Sequence, residues 1–141
     1  MLTIGELSRF SGVKIPTIRY YEQSGLIGEA ARTAGNQRRY CAADRERLLF
    51  IKNARELGFS TEAVRDLLAL GDLPDAGCEQ AHRIAARQLA VVREKIAYLR
   101  GLETRLKCLS NRPHSGGRVV DCTVMKGLAD HGRCECGRRD G

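Results

Sequence analysis

Between residues 79 and 110 the chain has no proline and a single glycine, Gly101, while Ala85, Leu89, Val92, Ile96, Leu99 and Leu106 recur at spacings of 4, 3, 4, 3 and 7. This is a heptad seam, and at ~1.5 Å per residue it predicts a helical rod of ~48 Å. A stripe of that length must be buried against something. Only ~70 residues precede the rod, about half of a typical domain and too few to cover it. A second copy of the same helix is the economical partner, so the seam predicts a homodimer. His82 and Glu103 fall at a positions of the seam and read as register or cross-pairing residues rather than ligands.

The sequence ahead of the rod differs in kind from the sequence after it. Six of the seven aromatic residues lie before residue 60, whereas Cys108, Cys122, Cys134 and Cys136, four of the six cysteines, lie in the last 34 residues. The net charge of +7 points to a polyanion as a partner. The surplus is local: residues 9–55 hold ten Lys or Arg against four Asp or Glu. The longest uncharged run is the six residues Gln23 to Gly28, far short of the ~20 apolar residues of a membrane helix. The start, Met1-Leu2-Thr3-Ile4-Gly5-Glu6, lacks the order of a signal peptide. The expected location is therefore the cytoplasm, where thiols stay reduced and cysteines read as metal ligands or redox groups before they read as disulfides.

Thr3-Ile4-Gly5-Glu6 has capping-box spacing and predicts a first helix over about 4–10. Ser11-Gly12-Val13 supplies a tight turn, and Pro16 fits the first turn of a second helix that carries Thr17 to Gln23 and stops at Ser24-Gly25. Two short helices joined this way form a helix-turn-helix. Residues 28–40 lose helical periodicity and read as a hairpin or wing. A third helix fits Asp44 to about Leu57, with Leu48, Ile51 and Arg55 at helical spacing, and Ser60 caps a fourth that buries Val64, Leu67 and Leu68. Cys41 sits near the start of the third helix and reads as incidental.

The domain boundaries expected are 1–71 for a winged helix-turn-helix DNA-binding domain, 72–77 for a linker and 78–111 for the dimerisation helix. A loop with a short helix follows over 112–130, and a cysteine-containing tail over 131–141. The fold class is mainly α.

Ile4-Gly5-Glu6-Leu7-Ser8, Thr17-Ile18-Arg19-Tyr20-Tyr21-Glu22, Gly25-Leu26-Ile27, Arg38-Arg39-Tyr40, Phe50-Ile51-Lys52 and Glu56-Leu57-Gly58-Phe59-Ser60 occur in the order and spacing that resemble the MerR family of transcriptional regulators. The resemblance spans residues 2–110. It implies a winged helix-turn-helix head followed by a long helix that pairs antiparallel with its twin. It also implies activators that sit on promoters with an over-long spacer and, on effector binding, bend and untwist the DNA for RNA polymerase. Arg19, Arg38 and Arg39, with Tyr20 and Tyr40, suit phosphate contacts, while Lys14 and Thr17 lie at the start of the second helix, where base edges are reached.

Cys78 resembles the cysteine that the family's sensors of divalent zinc, cadmium, lead and mercury present to the other subunit's metal loop; copper and silver sensors have Ser there. Cys122 resembles the second cysteine of that loop. The first loop cysteine, expected near 113 or 114, is replaced by Pro113 and His114. Three readings stay open. His114 takes its place, giving a mixed set with Cys78, Cys122 and a fourth ligand from Cys134, Cys136, His131 or water, suited to Zn²⁺ or Cd²⁺. Alternatively Cys134-Glu135-Cys136 or Cys108 supplies the thiolate, favouring softer Hg²⁺, Pb²⁺ or Cd²⁺; Cys108 falls at heptad position f, which faces solvent. In the third reading the site has become a thiol switch or senses something else. Iron–sulfur sensing needs more cysteines, more closely spaced, than this loop carries. A rival of another class is a cytosolic thiol or metal carrier using Cys134 and Cys136. The sequence offers no nucleophile–base–orienter set, so an enzyme is not expected.

Overall fold

The computed structural model describes residues 1–113 and 116–130. Six helices and one two-stranded sheet are present among them: α1 (Ile4–Ser11), α2 (Ile15–Gln23), β1 (Ala31–Arg32), β2 (Arg38–Arg39), α3 (Ala42–Glu56), α4 (Thr61–Gly71), α5 (Glu79–Ser110) and α6 (Thr123–Ala129). The chain divides into two compact units, Met1–Gln88 and the remainder from Leu89.

In the first unit, local chemistry fixes the helix ends. The Thr3 hydroxyl accepts from the Glu6 amide at 3.2 Å and the Glu6 carboxylate accepts from the Thr3 amide at 2.7 Å, so two orphan donors of α1 are satisfied. The Glu6 carboxylate also accepts from the Thr3 hydroxyl at 3.0 Å, and the bonds from the Thr3 amide and hydroxyl hold that carboxyl below its usual range. Gly12 ends α1 at φ 73°, where a side chain would be strained, and its amide returns to the Ser8 carbonyl at 2.8 Å. Pro16 sits in the first turn of α2, and the Ser60 hydroxyl caps α4 by accepting from Ala63 at 3.1 Å.

The core gathers Leu7, Ile18, Tyr21, Leu26, Ile27, Tyr40, Leu48, Ile51, Ala54, Val64 and Leu68 from the helices, the wing base and the turn after α2. On α3 the expected inward position of Arg55 is corrected: Ala54 is buried, and Arg55 is exposed and donates to the Phe59 carbonyl at 2.6 Å. A guanidinium buried there would need a partner, whereas Ala54 needs none. Leu67 is half-buried, flanking Val64 and Leu68. Cys41 is the N-cap residue of α3, with Asp44 accepting from its amide at 2.8 Å.

The hairpin pairs Ala31 with Arg39 and Arg32 with Arg38, and its turn uses Asn36 at φ 63°. A long-range bridge not foreseen from the sequence joins it to the N-terminus: Leu2 and Tyr40 exchange two backbone hydrogen bonds, each 2.8 Å.

Helix α5 has the length the heptad pattern predicts. Its seam residues Leu89, Ile96, Leu99 and Leu106 are 42–62% exposed in the single chain. Leu99, Leu102 and Leu106 line an apolar groove along it. In the second unit a single 3-10 turn, Val119–Asp121, leads into α6, which packs on the end of α5 through the buried Leu109 and Gly127.

Candidate nucleic-acid interface and effector site

Helix α2 buries Ile18 and Tyr21 and so turns Arg19 and Tyr20 outward; both are exposed. Lys14, the N-cap residue, is exposed and Thr17 half-buried at the opening turn. Arg38 and Arg39 are half-buried on β2. Between α1, α2 and the hairpin lies a concavity of about 580 Å³ whose lining includes Thr3, Arg19, Gln23, Arg32 and Arg38. Arg32 and Gln23 were not among the sequence candidates. The signal was there: a second arginine in the wing, spaced to pair across the strands with Arg38. Like charges in opposed positions repel, and here each is met by its own partner. Arg32 donates to the Asn36 side chain at 2.8 Å, and Arg38 lies 3.6 Å from Glu22.

Tyr40 is corrected. It has no accessible surface, and its hydroxyl donates to the Glu22 carboxylate at 3.0 Å. Burial first, and then the Glu22 bond, push its pKa up to about 12. A phenol so enclosed cannot reach a phosphate. It instead anchors the wing to α2, because Glu22 also approaches Arg38 and accepts from the Ala30 amide at 3.4 Å.

Cys78 precedes α5, exposed and free, with its carbonyl accepting from the His82 amide at 3.1 Å. Cys122 is a free, half-buried thiol at the N-cap position of α6. It borders a cavity of about 270 Å³ whose walls include Arg112, Pro113, Arg118 and Thr123. Cys108, next to the buried Leu109, is half-buried rather than solvent-facing, and it already has an interaction partner. His114, His131, Cys134 and Cys136 lie outside the described residues. Among the described residues no three His, Cys, Asp or Glu side chains group to hold a metal, and no helix is long and apolar enough to cross a membrane.

A helix-turn-helix braced by a two-stranded wing, with basic side chains around a concave face, defines a DNA-binding regulator. Comparison with known families agrees: the model described as MerR HTH family regulatory protein matches residues 2–70, and the one described as MerR, DNA binding matches residues 45–109. The chain belongs to the MerR family and is a transcriptional regulator, not an enzyme. It is 40% identical to the HTH-type transcriptional regulator HmrR of Sinorhizobium medicae, over 93% of this chain and 88% of that protein. It is 39% identical to the mercuric resistance operon regulatory protein of Shigella flexneri, over 90% and 87%. Among solved structures it is similar to a transcription regulator of Ralstonia metallidurans in complex with lead(II), with TM-score 0.79 and 35% identity, covering 91% of this chain and 99% of that one.

Proposed function

We propose that this chain is a metal-responsive transcription activator that binds promoter DNA as a homodimer in the cytoplasm. Lys14 and Thr17 reach base edges, while Arg19, Tyr20, Arg38 and Arg39 take phosphates, with Arg32 beside them. The exposed seam of α5 forms the subunit interface. A dimer presents two such heads to the DNA, as the family resemblance implies for distorting an over-long spacer for RNA polymerase.

The effector is a divalent ion of the zinc, cadmium, lead or mercury group, held by Cys78 of one subunit and by Cys122 with His114 of the other. The observation that carries this reading is the pair of free thiols at Cys78 and Cys122, the second beside a cavity. Thiolates with an imidazole make a donor set suited to such ions, and bound metal would supply the cross-link between subunits. The names of a mercuric resistance operon regulatory protein and of a regulator in complex with lead(II) support it.

The test is Cys122→Ser. The variant should bind its promoter as the unaltered protein does and lose metal-dependent transcription; normal metal activation by this variant would overturn the assignment.

A further inference from the structure

We propose that Arg112 is a positioning residue for Cys122: its guanidinium clamps the start of α6 to the end of α5 and thereby sets where the Cys122 thiol stands. The inference rests on the effector-site reading above. Arg112 is half-buried just past α5, and its Nη1 donates to the Thr123 carbonyl at 3.1 Å. The Thr123 hydroxyl returns to the Pro113 carbonyl at 3.1 Å. These two bonds span ten and eleven residues of sequence and tie the strand leaving α5 to the residue that follows Cys122.

Gly127 makes the clamp possible. A Cβ built there would lie 2.6 Å from Nη1 and 2.9 Å from Cζ of Arg112, and 2.8 Å from Cδ2 of Leu109. The guanidinium therefore occupies the space that any side chain at 127 would fill. Cys122 is coupled to the same turn, since its carbonyl accepts from the Lys126 amide at 3.1 Å. A thiol at a helix N-cap moves with the backbone that carries it, so the clamp fixes the thiol without touching it.

Glycine is a poor helix former and alanine the best, so Gly127→Ala strengthens α6 as a helix while expelling Arg112 from its seat. That separates positioning from mere stability. The experiment compares the full chain with Arg112→Ala and Gly127→Ala in two measurements. Without metal, the rate at which iodoacetamide modifies Cys122 is read by peptide mass spectrometry against the exposed Cys41 of the same molecule. With metal, Cd(II) is titrated and followed by its thiolate charge-transfer absorption. Both variants should change the Cys122 to Cys41 ratio several-fold and weaken Cd(II) binding by roughly 10- to 100-fold, the range for outer-shell changes at metal sites. The double variant should lose less than the sum of the two single ones, because both disturb the contact between Arg112 and Thr123. Unchanged ratios, or an effect of Arg112→Ala that Gly127→Ala does not share, would overturn the clamp. Failure of the unaltered protein to take up Cd(II), Zn(II), Pb(II) or Hg(II) would overturn the effector reading instead, with the alkylation measurement still deciding the clamp.

Discussion

Replacing Tyr40 by phenylalanine removes one oxygen from the base of the wing and leaves the ring in place. The lost bond runs to the Glu22 carboxylate, whose side chain is only 10% exposed, at 3.0 Å. Hydrogen bonds to charged groups contribute about 1.5–3 kcal/mol. Separately, burial first and then the Glu22 bond disfavour the phenolate and raise the Tyr40 pKa from 10.0 to about 12, which makes the stability of the folded head depend on pH. The sign follows from linkage. The folded pKa lies above the unfolded one, so this stability is fully present below pH 10 and is lost as pH rises from 10 to about 12. At about pH 10.5 the contribution has fallen by about 0.8 kcal/mol relative to about pH 8. Urea unfolding followed by circular dichroism at these two pH values measures both effects. Tyr40→Phe should be about 2 kcal/mol less stable at about pH 8, with the gap narrowing at about pH 10.5, since the other alkaline groups are common to both proteins. A variant within about 0.5 kcal/mol of the unaltered protein at the lower pH, or a gap independent of pH, would refute the anchoring role.

Leu99→Glu places a carboxylate on the exposed seam next to Leu102 and Leu106; sedimentation should show monomers, and a surviving dimer would remove α5 from the interface. Arg19→Ala should weaken promoter binding for all sequences alike and lower the slope of log K against log salt by about 1, as expected for a phosphate contact. Isothermal binding at several salt concentrations checks this, and an unchanged slope would place Arg19 off the DNA. The Cys122→Ser and Gly127→Ala outcomes given above test the effector unit separately from the head.

Much of the head was legible because its signals act within a turn or two of helix. Thr3 with Glu6, Pro16, and Ser60 with Ala63 each settle a helix end through contacts three residues apart or closer. The seam of α5 was equally plain, since an uninterrupted heptad needs no tertiary knowledge to be read. The candidate site was legible as residue types, namely the basic positions on α2 and β2 and the two thiols that proved free. Its architecture was less so. Arg32 joins the concave face only because strand register sets it opposite Arg38.

Residues whose role depends on distant partners could not be assigned from local pattern. Tyr40 looked like its neighbours Arg38 and Arg39, yet the bridge to Leu2 and the bond to Glu22 turn it inward. Ala54 displaced Arg55 from the core because the helices packed on α3, not its own spacing, choose which face is dry. Gly127 gave no signal at all until α6 was laid on α5 and its missing side chain made room for Arg112. Helix starts, stops and stripes follow from interactions short enough to be written in consecutive residues. Which polar groups are buried, and which thiol is held where, follow from chain segments ten or more residues apart meeting in space, and only the folded chain supplies that.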